Sequence, residues 1–153
     1  MQITEFLDVR AVESHLGASS KPGVLRELVG LLLRSEPDLD PNALVETLDR
    51  REKLQSTGIG NGVAIPHGRT DDVPKIVACV GRSVEGVDFQ SLDGQPTHLF
   101  FTLFVPESAQ GAHLKALARL SRLLKDGETR RRLLEAPDGE SMYAIIQEED
   151  AKL

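Results

Sequence analysis

The hydrophobic period of this 153-residue chain changes twice, and few folds accommodate both changes. Residues 22–34, "PGVLRELVGLLLR", start with a proline suited to a first helical turn and carry Val24, Leu25, Leu28, Leu31 and Leu32 on one helical face. "DPNALVETLDRREKL" repeats the grammar, with Asp40 as N-cap, Pro41 next, and Leu44, Val45 and Leu48 aligned. Then the period shortens. "GVAIPH", "KIVACVGRS" and "THLFFTLFVP" are rich in β-branched and aromatic residues and predict strands of one sheet, with "LDG" as a turn before the last. From Ala112 the helical period returns: Leu114, Leu117, Leu120 and Leu124 form an expected core face that closes on Asp-Gly, and "ETRRRLLEA" and "GESMYAIIQEE" predict two shorter helices. Helices, strands, then helices with short connections predict an α/β domain, its central sheet covered by helices.

Bulk properties narrow the function. A composition of 40% hydrophobic and 27% charged residues suits one domain with its own core. The one cysteine, Cys79, sits in an apolar run, which fits a buried residue in a reducing cytoplasm. The N-terminus has acids and no basic leader, and "LVGLLL" is far too short to span a bilayer, so neither secretion nor membrane insertion is expected. A net charge of −6 makes nucleic acid a poor direct ligand. It favours basic protein partners instead. The basic run "TRRRLLE" reads as a solvated helix face.

The stretch "STGIGNGVAIPHGR", residues 56–69, holds the chemistry. "GIGNG" resembles half of a dinucleotide fingerprint, but a helix precedes it and a strand follows, the reverse of what that site requires. No P-loop lysine and no serine elbow occur. His15, His67, His98 and His113 are scattered and lack the i, i+4 spacing or cysteine partners of a zinc site, so no metal is expected. What remains is His67 at the end of a short strand, held by Pro66, with Gly68 letting the chain turn away. A neutral imidazole is a nucleophile near pH 7. Phosphoryl transfer asks mainly for alignment and for donors around the phosphoryl oxygens, and the hydroxyls of Ser56 and Thr57 and the amides of the glycine turns are candidates. His15 and His98 read as structural.

"RREKLQSTGIGNGVAIPHGR" together with "VPESAQGAHLKAL" resembles the enzyme IIA component of the fructose/mannitol superfamily of the bacterial phosphoenolpyruvate-dependent phosphotransferase system, closest to its nitrogen-regulatory type. The resemblance runs over nearly the whole chain. Gln55, where a small residue is frequent, and Arg69, where lysine is common, are slight departures. The resemblance implies one domain over residues 1–153, a mixed sheet with helices on both sides, and no cofactor. It implies that His67 accepts a phosphoryl group at Nε2 from the phosphohistidine of an HPr-like carrier. It also makes His113 the second active-site histidine and Arg51 the phosphate-facing arginine. The residues agree with those placements. His113 falls in the first turn of the leucine-rich helix, where the dipole favours an anion. Arg51 closes the helix before the glycines, although spacing alone does not choose it over Arg50.

Three functions compete. A nitrogen-type phosphocarrier would regulate target proteins by its phosphorylation state. A sugar-type enzyme IIA would pass phosphate to an enzyme IIB during uptake. A binding module would keep the fold without turnover. The wording of the motif and the absence of a fused domain before Leu153 favour the first.

Overall fold

Nine residues decide the layering. "THLFFTLFV" forms β6 (Thr97–Val105), and its alternation sends Leu99, Phe101, Leu103 and Val105 to one face and Phe100 and Phe104 to the other. Both faces are therefore apolar, and helices must cover both. The structure, a computed structural model, describes residues 1–153 apart from the side chain of Gln110. After a 3₁₀ turn (Ile3–Glu5) the elements run β1 (Leu7–Glu13), α1 (Lys21–Leu32), α2 (Pro41–Leu54), β2 (Gly58–Gly60), β3 (Val63–Ala64), β4 (His67–Arg69), β5 (Val77–Val87), β6, α3 (Gln110–Lys125), α4 (Gly127–Glu135) and α5 (Gly139–Asp150).

The sheet is mixed, in the order β1-β5-β6-β3-β2, with β4 also on β6. β1 is parallel to β5, β5 antiparallel to β6, and β3 and β4 both parallel to β6. α1 and α2 pack Leu28, Leu32, Leu44 and Leu48 against Phe89, Phe100 and Phe104. On the opposite face α3, α4 and α5 bury Leu120, Leu124, Leu133 and Ile146 against Phe101, Leu103 and Val105. Cys79 is buried and free, and its Sγ donates to the Leu28 carbonyl. No helix of the described residues is long and apolar enough to cross a membrane.

One element is not foreseen in the sequence and one expectation changes. The N-terminal segment holds an edge strand, β1, which charges at Asp8 and Arg10 and a register shift between Leu7 and Val12 hide from any simple alternation. On α3 the core face is Ala116, Leu120, Leu123 and Leu124, whereas Leu114, expected inside, is 69% exposed. Residues 113, 116 and 120 lie along one helical line, so the true core face turns His113 inward.

Candidate active site

β3 and β4 share one register on β6: Val63 stands opposite Leu99, Ala64 opposite Phe100, and His67 opposite Leu103. They are one strand interrupted at Ile65-Pro66, where proline has no ladder donor to offer. The Ile65 N–H turns instead to the Thr57 carbonyl (3.1 Å), and the Pro66 carbonyl accepts from Leu103 (3.0 Å). His67 thus opens β4 and does not end a strand. Gly68 also has a different role from the expected turn. It lies inside β4 beneath α2, and a Cβ there would come within 2.5 Å of Thr47 Cγ2.

The interruption frees the Ile65 carbonyl, which lies 2.7 Å from His67 Nδ1. A carbonyl only accepts, so Nδ1 carries the proton and Nε2 keeps its lone pair. Burial pushes the His67 pKa below the ordinary histidine value; Arg51 adds to that, while the Ile65 bond and Glu52 oppose it. His67 is therefore neutral at pH 7, with a bare nucleophilic nitrogen.

β4 and β6 run parallel, and α3 begins just beyond the carboxyl end of β6, which is where open α/β sheets place their ligands. This brings His113 to His67, their ring centroids 5.5 Å apart and tilted by 55°. His113 Nδ1 is buried with no hydrogen-bond partner among the described residues. Burial lowers the pKa of His113 as well, reinforced by His67 and Arg69.

Arg51 comes from the last turn of α2 and donates to the Gln55 carbonyl (2.8 Å). It lines a cleft of about 260 Å³ with His67, Ser56, Thr57, Ile59 and Leu92; Arg50 is exposed and is not part of its lining. The structure thus separates the two arginines that spacing left equivalent. The hydroxyls of Ser56 and Thr57 are already committed. Ser56 donates to the Phe89 carbonyl (2.8 Å), and the buried Thr57 donates to Glu52 Oε2.

The glycine string is a hairpin and not an open nest of amides. Gly60, Asn61 and Gly62 take positive φ at its turn, Gly58 donates to Ser56 Oγ (3.1 Å), and Asn61 donates to Asp93 Oδ2 (3.1 Å). His98 bonds the Ser83 carbonyl (2.9 Å) and His15 bonds Ser14 Oγ (2.9 Å), both apart from the cleft. Among the described residues no group of three or more His, Cys, Asp or Glu side chains is arranged to hold a metal. Sequence reasoning missed Lys21 and Glu52, whose ion pair (2.9 Å), between a half-buried lysine and a buried glutamate, lies directly behind Thr57. Nothing local in the sequence brings residue 21 to residue 52.

Comparison with known proteins places the chain in a family. The family model "Phosphoenolpyruvate-dependent sugar phosphotransferase system, EIIA 2" matches residues 5–149. The chain is 41% identical over 150 residues to the fructose-specific EIIABC component of Bacillus subtilis, covering 98% of this chain but only 24% of that longer protein. It is 38% identical over 146 residues to the nitrogen regulatory protein of Bradyrhizobium diazoefficiens, covering 95% of each. The crystal structure of nitrogen regulatory protein IIA-Ntr from Neisseria meningitidis superposes with a TM-score of 0.87 at 37% identity, over 94% of this chain and 98% of that one. The chain therefore belongs to the EIIA 2 family and is a phosphotransferase-system component with the enzyme IIA α/β fold.

Proposed function

We propose that this protein is a histidine phosphocarrier of a nitrogen-type phosphotransferase relay, accepting a phosphoryl group at His67 Nε2 and regulating partner proteins by its phosphorylation state. The observation that carries the proposal is the Nδ1–H bond from His67 to the Ile65 carbonyl, which leaves Nε2 bare beside Arg51 and His113. In the reaction the Nε2 lone pair attacks the phosphorus of a phosphohistidine on an HPr-like carrier. The new N–P bond forms as the donor's N–P bond breaks, and the donor imidazole leaves with that electron pair. His67 keeps its Nδ1 proton throughout, so the phosphorylated ring is positively charged, and the Ile65 carbonyl stabilises that charge. Such a ring is a good leaving group, which keeps the transfer reversible.

Arg51 and His113 act on the phosphoryl oxygens, the arginine after exchanging its Gln55 carbonyl for the anion. The N-terminus of α3 adds its positive dipole end. Ser56 and Thr57 act as framework rather than as phosphate donors, given their existing bonds. Exposed Leu92 and Ile59 at the cleft and Leu114 beside His113 give a carrier an apolar rim on which to dock. No cofactor enters this chemistry, and the relay belongs in the cytoplasm.

The similarity to the nitrogen regulatory protein of Bradyrhizobium diazoefficiens supports this branch. A sugar-uptake role, with phosphate passed to an enzyme IIB, has its own support in the similarity to the fructose-specific protein. Rates of phosphate uptake from purified nitrogen-type and sugar-type carriers separate the two. The proposal expects the nitrogen-type donor to be faster; a faster sugar-type donor with onward transfer to an enzyme IIB overturns the regulatory assignment.

A further inference from the structure

Glu52 follows Arg51 on α2 but faces into the protein, 7% exposed, and takes no direct part in the chemistry just described. Its carboxylate accepts from the Thr57 N–H (3.1 Å), from the Thr57 hydroxyl and from Lys21 Nζ (2.9 Å). Lys21 opens α1 and reaches across to the Phe89 carbonyl (3.3 Å) and over the Phe89 ring (4.5 Å). The same Phe89 carbonyl accepts from Ser56. Residues 56 and 57 are therefore gripped from two helices at once.

The grip continues to the phosphoacceptor. The Thr57 carbonyl accepts from the Ile65 N–H (3.1 Å), and the Ile65 carbonyl accepts from His67 Nδ1–H (2.7 Å). Each link fixes the next one. We propose that Glu52 is a positioning residue for phosphoryl transfer, holding the Ile65 carbonyl through Thr57 so that His67 presents Nε2 as its bare nitrogen, with Lys21 anchoring the Glu52 carboxylate from α1. This rests on the assignment of His67 as phosphoacceptor.

Three donors converge on Glu52, so a glutamine there supplies one acceptor oxygen too few and turns an NH2 group toward a donor. Thr57 then loosens, the Ile65 carbonyl shifts, and the His67 ring loses the bond that selects its tautomer. Displacement of a nucleophile by about 1 Å lowers a rate on the order of a hundredfold, without a matching change in carrier affinity.

The test combines nitrogen-15 NMR of the histidine rings in the unphosphorylated protein with transfer kinetics, for wild type, Glu52→Gln and Lys21→Met. Wild type is expected to show Nδ1 protonated and Nε2 bare at His67. Glu52→Gln is expected to mix the two tautomers and to lower kcat for phosphate uptake by about tenfold to a hundredfold, with KM for the carrier within about twofold. Lys21→Met should move both readouts the same way by less, and it carries the test if Glu52→Gln does not fold. An unchanged His67 tautomer in folded variants overturns the proposal, as does a loss of activity confined to KM. If wild type takes no phosphate from any carrier, the phosphocarrier assignment fails, while the tautomer comparison still decides whether Glu52 positions the ring.

Discussion

At the residue scale the site depends on the protonation state of one imidazole. Burial lowers the His67 pKa, so the nucleophilic neutral form persists below the pH at which an ordinary histidine, with a pKa of about 6.5, protonates. The rate of phosphate uptake is expected to stay flat through that pH and to fall only at lower pH, as Nε2 takes a proton. A midpoint above the ordinary value in a pH–rate series would contradict the burial effect. The same shifts at His67 and His113 act on stability. Their folded pKa values lie below the unfolded ones, so the unfolded chain binds more protons as pH drops past the unfolded value. Stability is then lost toward the folded pKa values, which urea titrations across that window measure. Arg51→Ala should slow uptake by roughly tenfold to a hundredfold, as expected for a charge-assisted bond of about 1.5–3 kcal/mol, and lysine should restore only part of it because the planar fork is gone.

At the scale of elements, close approach of α2 to β4 sets where His67 sits. Gly68→Ala places a methyl 2.5 Å from Thr47 Cγ2 and is expected to cost about 1–3 kcal/mol. Thr47→Ala in the same chain should recover most of that loss, and a double-mutant cycle from denaturant melts reads the coupling. Additive effects would mean that the two elements do not press on each other. The helices were legible in the sequence because their apolar residues recur at the helical period and Asp40-Pro41 marks a start. β1 was not, because an edge strand with a register shift and exposed charges has no clean alternation to read. The inner face of α3 was misread for a related reason. Leu114 matches the helical spacing but faces solvent, and only packing against the sheet shows that the line through Ala116 and Leu120 is the buried one. In the site, His67 stood out through its proline and glycine neighbours. Glu52 and Lys21 did not, since a long-range ion pair leaves no trace in local pattern.

At the scale of the whole molecule the two chain ends are tied together beneath the core. Asp150, at the end of α5 and 2% exposed, accepts from the Ile3 N–H (2.7 Å) and pairs with Arg119 of α3 (2.5 Å). Asp150→Ala leaves the Ile3 N–H without its acceptor and unpairs the half-buried Arg119 guanidinium, and should cost about 1–3 kcal/mol by thermal or denaturant unfolding, with His67 chemistry retained in the folded fraction. Phosphorylation of His67, as proposed, would act on this framework as an electrostatic change, placing about 1.5–2 negative charges on the phosphoryl oxygens against one positive charge on the ring, in a protein already at −6. The fold need not move for a partner to sense it, and His67→Asp should change partner affinity while leaving the unfolding midpoint near that of wild type. The most direct test of the central claim is intact-mass spectrometry after incubation with phosphoenolpyruvate, enzyme I and an HPr-like carrier, with His67→Ala in parallel. One acid-labile phosphoryl group on wild type and none on the variant is the predicted result. Equal labelling of both proteins, or labelling of neither, would contradict it.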